Sequence, residues 1–281
     1  MSWVSLYNEY PYKGTELTAK QKENASRTIY RQYLRAKPNG AKILLLDIET
    51  APLRAFVWRL WQQNVHPLNG QLQSSSFIIT WAAKWLFDEK MMSDKLTPEE
   101  ALKEDDLRIT KSIWELMDEA DIVIAHHGSK FDIKYLNTRF FIHSLNLPSP
   151  YRVIDTKYHA SRTFLFPSNK LDYLGQILGV GRKIDTDFKL WEDCLKGDPS
   201  ALDTMLRYNE QDVKLLEDVY LKMRPYITSH PNIGIYITDT PSCPVCASVK
   251  LETKGRYVTQ HNIYAAFRCT DCGATGKLKT K

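Results

Sequence analysis

Asp47 and Glu49 stand two residues apart where the apolar run Ile43–Leu46 ends. That run reads as a buried strand, and side chains in a strand alternate faces, so both carboxylates point the same way. Tyr208 and Asp212 are spaced i, i+4 in a long helical stretch and share one face of it. Asp132 follows Phe131 at the start of another helix, just after the apolar run Ile122–Ala125. Carboxylates gathered in one place raise each other's pKa unless a counter-charge joins them. Hard oxygen ligands select Mg²⁺ or Mn²⁺ for that role. Two such ions about 3.5–4 Å apart stabilise both the attacking water and the leaving oxygen in phosphodiester cleavage. Each acid alone has a plainer explanation, as a strand end, a helix N-terminal acid or an exposed helix residue.

A second constellation lies near the C-terminus. Cys243 and Cys246 form one CxxC pair, Cys269 and Cys272 another; Cys194 stands alone. Two such knuckles supply four soft thiolates for one closed, tetrahedral, structural Zn²⁺. Disulfides are the alternative. The β-like segments 255–259 and 263–268 between the knuckles predict a hairpin, hence a zinc ribbon. So short a segment builds little core, so the metal should hold it folded. Tyr257, Tyr264 and Phe267, with Lys254, Arg256 and Arg268, predict either a nucleic-acid surface or the ribbon's own core. Docking of a protein, such as a replication or repair factor, is a further use for it.

Several elements must position these groups. Strands are expected over 43–46, 77–86, 122–125 and 153–155. Thr97-Pro98-Glu99-Glu100 is a capping box with proline at the first helical position, so one helix is expected from there to Glu119. Further helices are expected over 131–145, 171–178 and, behind the cap Asp198-Pro199, over 200–223. Strands that precede and then alternate with helices imply an α/β or α+β domain on a mixed sheet, of which α/β is the expectation. The predicted organisation is a basic helical extension over 1–40 with its helix at 18–37, a catalytic domain over 41–226, a linker over 227–242 and the ribbon over 243–281.

The net charge is +5. Residues 1–40 hold seven basic and three acidic side chains, and residues 241–281 seven and two. Basic flanks around an acidic centre suit a metal site that meets a polyanion; thiolate ligation of Zn²⁺ removes part of the ribbon's surplus. No run of 18 apolar residues occurs, so no membrane helix is expected. The first residues lack the basic-then-apolar pattern of a secretory signal, and a cytoplasmic protein is the expectation.

The segments LLLDIETAP (44–52), AHHGSKFDIKYLNTRF (125–140) and YNEQD (208–212) resemble the three exonuclease motifs of the DEDD superfamily, in the subclass with tyrosine in the third motif. The likeness is closest to the proofreading domain of family B DNA polymerases and includes KLDYL (170–174) and Leu178-Gly179. It covers roughly 42–222, and no polymerase palm follows, as in stand-alone exonucleases of phages and mobile elements. The resemblance implies an RNase H-like fold and 3′–5′ hydrolysis of DNA, single strands favoured. It implies Asp47, Glu49, Asp132 and Asp212 as ligands of two Mg²⁺ or Mn²⁺ ions, with Asp47 shared between them. Tyr208 is implied to orient the water, with Thr50, His127 and Phe131 against the substrate. His127 stands where that family usually has asparagine. It implies either a hydrogen-bond donor of the same use or a different grip on the substrate. A ribonuclease, an endonuclease and a non-catalytic nucleic-acid binder are the rival expectations.

Overall fold

In the computed structural model, described residues run from 40 to 278, except 60, 62–63 and 238–239. The helix expected over 18–37 lies outside them.

The apolar run after Lys42 forms β1 (Ile43–Thr50), whose first four residues are buried. A short ladder of β2 (Arg54–Ala55) with β3 (Leu72–Ser74) follows. β4 (Ile78–Trp85) and β5 (Met91–Lys95) complete an antiparallel meander with β1. β6 (Ile122–Ala125) and β7 (Arg152–Asp155) then add in parallel on the other side. The sheet order is β5-β4-β1-β6-β7. β1 is therefore central and covered on both faces, which is why it reads as an unbroken apolar run. The mixed sheet and its flanking helices are the RNase H-like arrangement expected. No helix among the described residues is long and apolar enough to cross a membrane.

The capping box forms as read: Glu100 N donates to Thr97 Oγ1 at 3.2 Å, and Thr97 N to Glu100 Oε2 at 2.8 Å. The helix it starts is not continuous to Glu119. It divides into α1 (Pro98–Lys103) and α2 (Leu107–Glu119), with Glu104 between them in the left-handed region at φ 56°. The break has a physical cause. Asp106 is fully buried and accepts from Ile78 N at 2.8 Å, from Arg139 Nε at 2.7 Å and is 2.6 Å from His143 Nε2. Turning that carboxylate inward requires the chain to leave the helical path. α3 (Asp132–Ile142) likewise stops before 145, because His143 turns toward Asp106 and Ser144 takes φ 56°.

α4 (Thr156–Thr163) and α6 (Phe188–Leu195) were not anticipated; α5 (Leu171–Ile177) was. The long helix α7 (Pro199–Met223) is capped by Asp198, which accepts from Ser200 N at 2.8 Å and Ala201 N at 3.3 Å. α7 packs across β1 and β4 and buries Leu202, Met205, Val213, Leu216 and Val219 in the two halves of the core. Of the segment 227–242, Ile227 and Ile233 enter that core, and Ile233 N donates to Pro244 O at 2.9 Å.

The cysteine module is a three-stranded sheet in the order β10-β9-β8: β8 (Leu251–Val258), β9 (Ile263–Cys269) and β10 (Thr275–Leu278). The third strand exceeds the expected hairpin. Phe267 is buried in the module's small core, so it presents no face to a ligand. A Cβ at Gly276 would lie 2.8 Å from that ring. Tyr257 and Tyr264 are paired across the strands and remain outward, with Lys277 Nζ 5.4 and 4.7 Å from their ring centres.

Candidate active site and metal centres

β1 ends by carrying Asp47 and Glu49 to one face, against the middle of α7. There Asp212 meets them, and carboxylate oxygens of Asp47, Glu49 and Asp212 all lie within 4.8 Å of one another. Asp132 lies beside this trio rather than within it. It is buried at the start of α3, and its Oδ1 accepts from Ile48 N at 3.3 Å, between the two acids of β1. A Cβ at Gly128 would sit 2.4 Å from Ala125 Cβ, so the turn that brings α3 this close has no room for a side chain there.

Burial, and next the charges of Asp132, Glu49 and Asp212, hold the Asp47 carboxyl well above its ordinary range. Burial also pushes Glu49 up to about 8 and Asp132 to about 7, and raises Asp212. Lys183 opposes this. Its ammonium is 2.5 Å from Asp212 Oδ2 and 4.9 Å from the centre of the Tyr208 ring. Burial works against its charge, but Asp212 more than restores it, so its pKa is raised. Lys183 and Tyr208 are the side-chain donors that face Asp212, and both work against the effect of its burial. One ammonium does not balance Asp47, Glu49, Asp132 and Asp212, and buried carboxylate oxygens gathered this closely fit a hard divalent cation.

Two residues that sequence reasoning did not assign complete the site. Asn209 is fully buried; its Nδ2 donates to Asp47 Oδ2 at 2.6 Å, and its Oδ1 accepts from Thr80 Oγ1 at 3.2 Å. It lies three residues before Asp212, a helical spacing that could have revealed it. Lys183 comes from the loop after α5, where nothing local marks it. Tyr208 is buried, and burial raises its phenol pKa, so it stays a neutral donor at physiological pH. Thr50 is half-buried at the end of β1, and Phe131 is exposed before α3. His127 holds φ 71°, fixed by its N donating to Asp155 Oδ1 at 3.0 Å. Asparagine and histidine are both among the few residues at home in that region, which favours an exchange that leaves the turn unchanged. His126 bonds through Nδ1 to Thr156 Oγ1 and through Nε2 to Asn169 O, both at 2.9 Å, and so packs the strand end.

The four knuckle cysteines also converge. Cys243 and Cys272 sulfurs are 3.6 Å apart, as are those of Cys246 and Cys269. Those separations are far beyond a disulfide bond of about 2.05 Å. A tetrahedron with metal–sulfur bonds of about 2.3 Å has edges of about 3.8 Å, so the set fits a thiolate-bound ion.

The raised carboxyls make stability depend on pH. Glu49 titrates near 8 when folded against an ordinary 4.5, so the metal-free fold favours its protonated form. Its stabilising contribution is complete on the acid side and is lost as pH rises through that window. In EDTA, Glu49→Gln should therefore match the parent's Tm at the acid end and exceed it at the alkaline end. Saturating Mg²⁺ should remove that advantage. A Tm difference that ignores pH would show that Glu49 feels no such crowding.

Residues 44–224 match the model of the RNase_H superfamily. Among solved structures, the fold is similar to the family B DNA polymerase from the hyperthermophilic archaeon Pyrobaculum calidifontis. That likeness has a TM-score of 0.50 and 18% identity, over 67% of this chain and 25% of the polymerase. The chain thus spans about a quarter of the polymerase's length. No curated protein matches the chain.

Proposed function

The chain belongs to the RNase_H superfamily, and we propose that it is a metal-dependent 3′–5′ exonuclease that removes nucleotides from DNA, preferring single strands. The observation that carries this reading is the convergence of Asp47, Glu49 and Asp212 within 4.8 Å, with Asp132 alongside and Tyr208 one turn from Asp212. Asp47, Glu49, Asp132 and Asp212 would hold two Mg²⁺ or Mn²⁺ ions, which when bound supply the charge that activates water and steadies the leaving 3′ oxygen. The protein's own groups do the rest. Asn209 fixes the Asp47 carboxylate through its 2.6 Å bond. Lys183 limits the repulsion among the acids. Tyr208 donates a hydrogen bond that orients the attacking water, and Thr50, His127 and Phe131 line the approach of the strand's end.

The direct test incubates end-labelled DNA and RNA, single- and double-stranded, with Mg²⁺ and resolves products by length. A ladder shortening from the 3′ end of single-stranded DNA is the expected result. Internal cuts would assign an endonuclease, and preferential loss of RNA a ribonuclease. Tyr208→Phe should slow the reaction by about 10²-fold, the scale of one positioned proton-handling group. Full activity in that variant would reduce the ring to packing.

The cysteine module is a zinc ribbon in this reading, with Zn²⁺ on Cys243, Cys246, Cys269 and Cys272. Its outward Tyr257 and Tyr264 beneath Lys277 suit contact with nucleic acid, or with a replication or repair protein. Elemental analysis of purified protein should find about one zinc per chain by this four-thiolate set; none would reject the ribbon.

A further inference from the structure

We propose that the cleft between the His127 turn and α4 is a second binding site, one that takes the phosphates and a base of a single-stranded polynucleotide upstream of its 3′ end. The cleft encloses about 500 Å³ and is lined by Lys130, Arg152, Lys157, His159 and Ser229. A neighbouring hollow of about 480 Å³, lined by Tyr158 and Arg162, continues it.

Charge is the first argument. Several basic side chains elsewhere are matched, Lys42 with Glu119, Lys84 with Glu217, Lys95 with Asp203, Arg108 with Asp94 and Glu100, while others are solvated singly; what marks the cleft is that its cations are gathered. Lys130, Arg152, Lys157 and Arg162 make no ion pair among the described residues. The acid in the lining, Asp155, does not answer them. Its Oδ1 accepts from His127 N and Tyr158 N at 3.0 Å, and its Oδ2 from Ser129 N at 3.1 Å. Four unmatched cations around one concavity favour a polyanion.

Position is the second. β1, β6 and β7 are parallel, with Leu45 opposite Ile124 and Ala125 opposite Asp155. Their carboxyl ends therefore share one edge of the sheet. The cleft runs along β7 from Arg152 to Asp155, and its Asp155 end is two strand spacings from Asp47 on β1, roughly 10 Å. His127, in the cleft wall, begins the turn that leads to Asp132, its O accepting from Phe131 N at 3.0 Å. A strand whose end reaches the acids carries its preceding phosphates across this edge.

The third argument distinguishes strand type. The Tyr158 ring is half-exposed, stands edge-on to His159 at 5.3 Å and has the Arg162 guanidinium 5.7 Å from its centre. An exposed ring beside cations offers a stacking face, which an unpaired base can use and a paired one cannot.

The test uses full-length protein in EDTA and a fluorescent single-stranded deoxyoligonucleotide, with Kd measured at several salt concentrations. The double variant Arg152→Ala/Lys157→Ala should bind about tenfold or more weakly, with a salt slope shallower by roughly 1.4, two contacts at about 0.7 each. Tyr158→Ala should weaken binding by about tenfold with the slope unchanged. Unaltered Tm values establish that the variants are folded. Parental Kd and slope in both variants would overturn the site. Displacement of the strand by millimolar inorganic phosphate at matched ionic strength would overturn it too, assigning the cleft to free phosphate. The site rests on the nuclease reading, but the two fail separately. Strand binding lost in the variants, with no hydrolysis by the parent in Mg²⁺, would end the nuclease reading alone. Hydrolysis by the parent with unchanged binding in the variants would end the cleft alone.

Discussion

Asp47→Asn should lower strand hydrolysis by about 10³-fold or more, the upper range for losing one preorganised electrostatic group in an active site. The substitution removes the charge at the centre of the acid group. It keeps an oxygen to accept from Asn209 Nδ2, which the buried amide otherwise loses. The fold should survive, and in EDTA the Tm should rise. One of several mutually repelling carboxylates has been neutralised, and burial is the first cause of its raised pKa. Lost activity with a raised metal-free Tm marks a residue kept for chemistry at the expense of stability. Turnover within about tenfold of the parent would place Asp47 outside the reacting centre.

Asp106→Ala should destabilise the fold by about 3–5 kcal/mol, because it strands a buried cation. Arg139 is buried, and its guanidinium bonds bidentately to Asp106, from Nε at 2.7 Å and Nη2 at 2.5 Å. Ile78 N loses its acceptor at the same time. The network joins β4, α2 and α3, and α3 begins with Asp132. Loss of Asp106 should therefore also loosen the fourth acid. Urea denaturation measures the first effect. Weaker Mg²⁺ protection against thermal unfolding measures the second. A midpoint shift equivalent to less than about 1 kcal/mol would mean that the pair breaks even with a solvated arginine.

Short-range periodicity made much of this protein legible. The two-residue spacing of Asp47 and Glu49 and the four-residue spacing of Tyr208 and Asp212 each assign a face before any tertiary contact exists. The caps at Thr97 and Asp198 are likewise local, since their partners lie two or three residues away. Two CxxC pairs announce a four-thiolate group, because soft ligands at that spacing serve one ion. The central strand was legible from its unbroken apolar run, which only burial on both faces explains.

What sequence left open depends on groups distant along the chain. Nothing near Asp106 tells that it faces Arg139, 33 residues on; the capping box therefore predicted one helix where there are two. Lys183 is one of two adjacent loop cations, with Arg182, until α7 brings Asp212 to 2.5 Å from it. Phe267 and Tyr264 look equivalent in sequence, and the pleat of β9, with Gly276 opposite Phe267, buries one and leaves the other half-buried. The cations at 130, 152, 157 and 162 become one cleft through the parallel pairing of β6 with β7. Spacing along a strand or helix determined which side chains share a face. The pairing of strands and the crossing of α7 over β1 decided which faces meet, because electrostatic and packing energies depend on distance in space, not on separation along the chain.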